Sequence, residues 1–463
     1  MSFNKKLVSA IILASLVFFV VIGFNVSPFL RGPGPWPPDW RWPYQFVNTL
    51  NRVWAPLMII SFILYIGYFF DKKKKLASLD LWVLLVLLVI LSYFFQLSVL
   101  YFSRSGISVL IHRVINPGLN GYFTEAVKIK NLGSFFSNYQ KNVLNFSMHA
   151  AGHPPGPIIF YWLMEKLVNF IPLINNFVSN LIPQHNDVQI IWKGLTLNQK
   201  SAAVFSAFFV PFLASLNIIP LFLISRKLSG IKAAVRIALM SIFIPALTLF
   251  TPLPDVYFPI FFLSGFLIFI EGEEKNSRLL LAISGLVFSL GIFFSLSILP
   301  LLILFSYYFL KNRKTIIPFF MGGGLFYLAV YLFFGYNIFS VSYTLMIGLP
   351  KNRAYLPWVF YNLYDFFVFT GLPITLTYLT MFFKRIKNHL FIFFSLLLIF
   401  LNFSGAVRGE VGRIWLPLMF PLILITGSFL TNKLKLATKV FLVILFIQAV
   451  QVLVLQEFWV TLW

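Results

Sequence analysis

Long apolar stretches, one after another with almost no charge inside them, constrain this chain more than any other feature. A membrane-crossing helix needs about 20 consecutive apolar residues. Thirteen segments approach that length: 7–25, 53–70, 79–101, 201–225, 232–250, 256–272, 278–297, 298–310, 315–335, 361–383, 389–404, 411–431 and 437–456. Across the 463 residues, 59% are hydrophobic and 11% charged. A soluble fold cannot hide that much apolar side chain, because a large share of any folded surface must face water. Disorder is excluded on the same ground. The expected class is an all-α polytopic membrane protein of about 13 transmembrane helices, with one large outer loop that contains juxtamembrane helices.

Lys and Arg set the expected orientation. With the N-terminus cytoplasmic, the inner ends are Lys5/Lys6, Lys72–Lys75, Arg226–Arg236, Lys275/Arg278, Lys311–Lys314, Lys384–Lys387 and Lys433–Lys439. The C-terminus then falls outside. The first segment has a basic start, but its apolar run is long and no clear small-x-small cleavage site follows, so it reads as a retained helix. The stretch 154–172 (PPGPIIFYWLMEKLVNFIP) has a short apolar run and Pro at both ends. If it crossed, every later loop would break the positive-inside pattern. It therefore reads as an amphipathic helix in the outer interface. Segment 102–200 then becomes a single outer loop of functional length. Residues 1–78 form two extra N-terminal helices joined by the Pro- and Trp-rich loop PGPWPPDWRWP, whose three Trp suit the headgroup zone. Residues 79–455 form the core.

The net charge is +23 (36 Lys+Arg against 13 Asp+Glu), which suits anionic lipid headgroups. No soluble basic domain is present to carry a nucleic acid. With no Cys, thiolate chemistry and disulfides are excluded. No ATP-binding loop, serine-hydrolase elbow, zincin helix or dinucleotide fingerprint occurs. No internal repeat is visible, and no clearly Gly/Pro-broken helix pair of the transporter kind is read.

So few acids make the search for chemistry short. Asp71, Asp80, Glu271, Glu273 and Glu274 flank inner helix ends and read as topological. Outside, Asp255 in TPLPDVYFPIFF stands at the mouth of a span, where an acid is either functional or a helix N-cap. Glu125 in LNGYFTEAVKIKNLGSFF lies on an expected short helix, where pairing with Lys128 or Lys130 is the plainer reading. His149 and His153 in MHAAGHPPGPIIFYW are four apart. The prolines after His153 argue against one continuous helix, so the pair is compatible with a divalent metal without indicating one, and no cofactor follows. Phosphate or hydroxyl contact is the favoured role. Arg408, Glu410 and Arg413 in AVRGEVGRIWLPLMFP offer bidentate phosphate recognition, or headgroup anchoring and a helix-end ion pair. Lys351, Arg353 and Tyr355 add cation in another outer loop. Asp365 and Asp39 are weaker candidates, and Asp187 and Glu457 read as loop and tail.

At these residues the chain resembles the C-type (GT-C) superfamily of polytopic membrane glycosyltransferases, which includes protein O-mannosyltransferases and the aminoarabinose transferases acting on lipid A. The resemblance covers roughly 79–455. It rests on HPPGPIIFYW, SAAVFSAFFVPFLASLNIIPLFLISRKLSG and TPLPDVYFPIFF, in that order. His153-Pro154-Pro155, Arg226-Lys227-Leu228-Ser229-Gly230 and Asp255 match the family's juxtamembrane segment, basic turn and span-opening acid. PGPWPPDWRWPY and RGEVGRIWLPL resemble bacterial members with two extra N-terminal spans. The resemblance implies inverting transfer of a sugar from a polyprenyl-phosphate donor to a lipid, glycan or protein acceptor at the outer face of a prokaryotic plasma membrane. It also implies an acid acting as general base. Here Asn120 stands near the place of the family's acid, so the base is open among Glu125, Asp255 and Asp39. The donor phosphate would be held by His153, with Arg353, Arg408 and Arg413. The other reading is a lipid or glycolipid transporter without transferase activity.

Overall fold

The computed structural model describes residues 3–461 except 36, 38, 47, 74–76, 183–191 and 349–351. Its regular structure is α-helix with short 3-10 turns and one turn of π-helix; among the described residues the one strand-like pairing is an isolated bridge, Tyr44–Trp459. Among the described residues, eight helices are long and apolar enough to cross a membrane: Lys6–Gly23, Trp54–Lys72, Leu79–Phe102, Leu197–Ser229, Pro254–Glu274, Arg313–Phe334, Leu416–Lys433 and Thr438–Phe458. Two sharply bent helix pairs raise the count to ten if each is one crossing. Leu416–Lys433 is central and buried almost all round, whereas Arg313–Phe334 carries exposed apolar side chains such as Leu332 and Phe333. That difference separates a helix surrounded by protein from one suited to face lipid.

The shortfall against thirteen has local causes. Segment 232–250 divides into Ile231–Ile242 and Pro245–Leu249, because Pro245 has no N–H to continue the ladder and holds Ile244 extended. Segment 361–383 is not one straight span: Tyr355–Thr370 and Leu372–Phe383 meet at 119° across Gly371, whose φ is 112°. The stretch 278–310 breaks at Ser295, giving the shorter helices Arg278–Phe294 and Leu296–Lys311, and His389–Ser404 is short as well.

Residues 156–179 form Gly156–Phe170 and Pro172–Ser179, bent by 101°. Neither arm alone has the roughly 20 residues of a crossing. The first packs on the short helix Tyr122–Ala126 and on Leu197–Ser215, while Phe170, Leu173 and Phe177 stay exposed. These two bent pairs overturn the expectation that Gly/Pro-broken helices are missing. Loop 102–200 contains further short helices, Ser108–Ile115, Leu132–Ser137 and Tyr139–Asn142.

Two inner or tail acids also depart from expectation. Asp71 is not a solvated helix end. Its carboxylate takes Arg236 Nε at 2.7 Å and Nη2 at 2.8 Å, with Thr438 Oγ1 at 2.7 Å, and both ion-pair side chains are fully buried. Glu457 is buried too, accepting Thr49 N and Oγ1 at 3.2 and 2.6 Å, and so ties the last helix to the N-terminal loop. Asp80, Glu271, Glu273 and Glu274 pair with Lys73, Lys227, Lys275 and Lys311 as surface ion pairs.

Candidate functional site

The segment SGAVRGEVG after helix His389–Ser404 supplies the centre. Gly405 ends the helix in the left-handed region, with φ 63°. Gly409 has φ 102°, and a Cβ there would lie 2.2 Å from Arg353 Nη1. Glu410 follows in the left-handed region at φ 58°. For a residue with a Cβ such a conformation costs about 1–3 kcal/mol and persists where surrounding contacts fix it. Here those contacts are ionic. Glu410 Oε1 accepts from Arg353 Nη2 at 3.2 Å, and Oε2 accepts from Arg413 Nη2 at 3.1 Å. Arg353 Nη1 donates to the Arg408 carbonyl and Arg408 Nη1 donates to the Arg353 carbonyl, both at 2.7 Å.

Arg413 is the hub. Its Nη1 meets Asp255 Oδ2 at 3.1 Å, and both side chains are 3% exposed. Its Nη2 also lies 3.2 Å from His149 Nδ1. A guanidinium can only donate, so Nδ1 accepts and the imidazole proton sits on Nε2. Asp255 lies in the 3-10 turn Pro254–Val256 and does not cap the helix that follows. Burial pushes the His149 pKa down to about 3, with the Arg413 charge adding to it, so the ring is neutral. For Glu410, burial raises the pKa, but the positive charges of Arg413 and Arg353 outweigh it and hold the acid at about 2. For Arg413, burial opposes the charged form, and Asp255 and Glu410 more than compensate, raising its pKa further.

Loop 102–200 closes on this hub. His153 sits edge-on to Tyr122 at 5.5 Å between ring centres, and its carbonyl accepts from Tyr139 Oη at 2.7 Å. Burial lowers the His153 pKa, against the raising effect of Asp255. Tyr122, Tyr161 and Tyr257 are buried around Asp255. The Tyr161 and Tyr257 hydroxyls and His149 Nε2 are buried without a hydrogen-bond partner among the described residues. Buried polar atoms are rarely left unpaired, so three beside one ion network set this region apart from ordinary core.

The N-terminal loop forms another wall. Trp40 and Trp42 are buried rather than in the headgroup zone. Trp42 Nε1 donates to Asp365 Oδ1 at 2.7 Å, and Asp365 Oδ2 accepts from the Gly412 N–H at 3.1 Å. Trp358 Nε1 donates to Asp39 at 3.2 Å. Asn362 donates to the Val407 carbonyl and accepts from Gly409 N. Tyr355 Oη donates to the Phe403 carbonyl, with the Arg408 guanidinium 5.6 Å from its ring centre.

No family model matches this chain, and no curated protein or solved structure matches it either.

The structure thus joins Asp255, Arg413, Glu410, Arg353, Arg408 and His149 by direct bonds. It sets His153, Tyr355, Asp365 and Asp39 around them. Glu125 stands apart: its carboxylate takes Ser147 N and Oγ at 3.1 and 2.7 Å and Lys128 Nζ at 2.9 Å. No hydrogen bond or ion pair among the described residues links it to Asp255 or Arg413. Lys351 lies outside the described residues, as does Asp187. The expected surplus of phosphate-binding cations is also smaller. Arg413 and Arg353 are held by carboxylates, and of the three arginines only Arg408 has no carboxylate within 4 Å among the described residues. No group of three or more His, Cys, Asp or Glu among the described residues is placed to hold a metal.

The three tyrosines, Trp42, Asn362 and Arg113 escape a sequence reading. Arg113, 2% exposed, donates to the Thr251 and Thr461 carbonyls and so braces the loop that carries Asp255. Burial lowers its pKa to about 9. The one sequence signal for it is an Arg amid the apolar run SVLIHRVI.

Proposed function

We propose that the chain is an inverting membrane glycosyltransferase. It moves a sugar from a polyprenyl-phosphate donor to a lipid, glycan or protein acceptor on the outer face of a prokaryotic plasma membrane. The reading is supported above all by one juxtaposition: buried Asp255 on Arg413, with unpartnered hydroxyl and imidazole groups around it and Arg408 at the rim. Asp255 is the base this geometry favours: Arg413 bonds to one of its carboxylate oxygens, whereas Lys128 and Ser147 occupy both oxygens of Glu125, and Asp39 is joined to Trp358 and not to Arg413. The acceptor oxygen attacks the anomeric carbon and passes its proton to the carboxylate, while the bond from that carbon to the phosphate oxygen breaks. Arg408, assisted by Arg353 and His153, receives the departing phosphate, where fixed cations stabilise growing charge. In this reading the N-terminus is cytoplasmic, and the thirteen crossings are completed by the shorter helices Arg278–Phe294, Leu296–Lys311 and His389–Ser404, the bent pair Tyr355–Thr370 and Leu372–Phe383, and the divided segment 232–250.

The test is sugar transfer by purified protein in proteoliposomes that contain a labelled polyprenyl-phosphate sugar and native-membrane acceptors. Asp255→Asn keeps the shape and removes the charge, and is expected to cut the rate by about 10²–10⁴, the usual loss of a general base. A rate within a few-fold of wild type removes Asp255 from that role.

A second reading is favoured by the 119° break at Gly371. Transporters build sites from broken helices, and a lipid transporter would present one beside its binding groups. Movement of a labelled lipid across liposomes without any sugar transfer selects that reading.

A further inference from the structure

Helices Arg278–Phe294 and Ile316–Phe334 cross with their backbones in contact, and the reason is glycine. A Cβ on Gly285 would lie 1.8 Å from the Phe319 carbonyl oxygen, and one on Gly322 would lie 1.8 Å from the Ala282 oxygen. Small residues at such crossings allow close approach between membrane helices. Gly323 is enclosed as well, 2.4 Å from Ser289 Oγ by the same measure. Gly324, the next residue, is different: a Cβ there meets nothing within 4 Å. Helix packing accounts for the first three glycines and leaves the fourth without a structural use, although glycine costs a helix about 1 kcal/mol relative to alanine.

The space beside Gly324 is a cleft of about 540 Å³. That is within the roughly 300–1,000 Å³ typical of small-molecule sites. Its walls are apolar and aromatic, Phe288, Ile292, Leu302 and Phe319 among them. The rim residues Leu328 and Phe339 are 51% and 84% exposed, so it opens sideways from an apolar surface. At one end stands Tyr336, 1% exposed, with a hydroxyl that has no hydrogen-bond partner among the described residues. Tyr336 packs on Tyr139, which holds the His153 carbonyl, so this is the end nearer the outer site. The lining contains no Lys, Arg or His.

We propose that this cleft is the resident site of one acyl chain of a bilayer glycerophospholipid, with the Tyr336 hydroxyl donating to its ester carbonyl. An apolar slot open to the hydrocarbon fits a chain, and neutral donors at its end, the buried Tyr336 hydroxyl beside the Asn337 amide, fit an ester. A phosphate would need a cation there, and the lining supplies none. The site shares no lining residue with the Asp255 network and stands whether or not the chain transfers a sugar.

Native mass spectrometry of the full chain, released from nanodiscs of phosphatidylethanolamine and phosphatidylglycerol, tests it. Wild type is expected to retain one phospholipid. Gly324→Leu places its Cβ in open space at the cleft wall and is expected to abolish retention while the melting temperature holds or rises. Tyr336→Phe keeps the packing and is expected to weaken retention about 2- to 10-fold, the worth of one neutral hydrogen bond. Equal retention by wild type and Gly324→Leu overturns the proposal. So does retention of detergent alone, or of a polyprenyl phosphate in place of a phospholipid when both are supplied.

Discussion

Replacing Arg413 by Met is the sharpest perturbation available to the Asp255–Arg413–Glu410 network. Met keeps the length and apolar stem of the side chain and deletes a charge held by Asp255 and Glu410, each at 3.1 Å. Asp255 is only 2% exposed, so water cannot replace the lost partner. Breaking a buried ion pair by removing one member costs about 3–5 kcal/mol, mostly because the other charge stays buried and unpaired. Arg353→Met is the comparison. Its side chain is 16% exposed, and Glu410 would keep Arg413, so its cost is expected to stay below about 2 kcal/mol. Asp255→Asn added to Arg413→Met removes the stranded charge and is expected to restore about 1–3 kcal/mol, the range of coupling between residues in contact. The chain has 11 Trp and no Cys, so intrinsic fluorescence during heating in mild detergent serves as the assay. Melting temperatures are compared rather than converted to free energies, because membrane proteins of this size commonly unfold irreversibly. The pH dependence has a definite sign. The depressed Glu410 pKa gives wild type a contribution that is complete above the unfolded value of 4.5 and is lost only as pH falls through about 2. Without Arg413 the carboxyl titrates at a higher pH, so the Arg413→Met deficit should shrink between pH 7 and pH 4.5. Equal losses for the two arginine variants, with no rescue by Asp255→Asn, would refute the hub.

His149 stays neutral down to about pH 3, so His149→Gln is expected to leave the shape of any activity–pH profile between pH 5 and 8 unchanged; loss of an ionisation near 6.5 in that variant counts against the burial argument. Glu125→Gln keeps an acceptor for Ser147 and loses an ion pair whose Lys128 is 61% exposed, so it is expected to cost less than about 1 kcal/mol and to leave transfer within a few-fold; a 10²-fold fall in rate would return the base to Glu125. Gly371→Ala puts a Cβ 1.7 Å from Gln448 Nε2 at a φ of 112°, and is expected to lower stability by at least about 2 kcal/mol, read as reduced monodisperse yield and melting temperature.

The sequence carried the helical class because bilayer thickness imposes a length and an apolar composition that survive in one dimension. It carried the interest of Asp255 and of RGEVGR because charge is scarce among apolar runs. The short helix around Glu125 was legible too, from Phe123 and Ala126, and so was its pairing with Lys128. What stayed hidden depends on contacts between distant residues. Asp365 ranks low in sequence because nothing near it in the chain explains it; its partners, Trp42 and Gly412, are 323 and 47 residues away. Asp71 reads as one more inner-end acid until Arg236, 165 residues on, occupies it. Tyr161 and Tyr257 sit in runs whose aromatic residues all look like lipid contacts. A phenol that lacks a partner is visible only when every neighbour is in place. Gly371 is a lone glycine in an apolar run, and only the crowding of Gln448 against it shows that the chain turns there.

Sidedness is the remaining question the fold can argue. Helix Pro254–Glu274 carries Asp255 at one end and Glu271 and Glu274, paired with Lys227, at the other. Leu416–Lys433 begins just after Arg413 and ends with Asn432 donating to the Ser229 carbonyl. The Asp255 network and the Lys227 cluster therefore lie a helix length apart, at opposite ends of the same two helices. The proposed reading puts the Lys227 end, with Lys311 and Lys314, in the cytoplasm, in line with its Lys/Arg enrichment. The absence of Cys makes this measurable without background. Single Cys residues at exposed Asn180, in the loop that covers the Asp255 network, and at exposed Lys314 are offered a membrane-impermeant maleimide in intact cells and then in permeabilised ones. Asn180→Cys is expected to react in both, Lys314→Cys only after permeabilisation. The reverse pattern puts the site inside and ends the outer-face transferase reading while leaving the fold untouched. Reaction of both in intact cells means that an odd number of crossings does not separate these two positions, and it retires the thirteen-crossing topology.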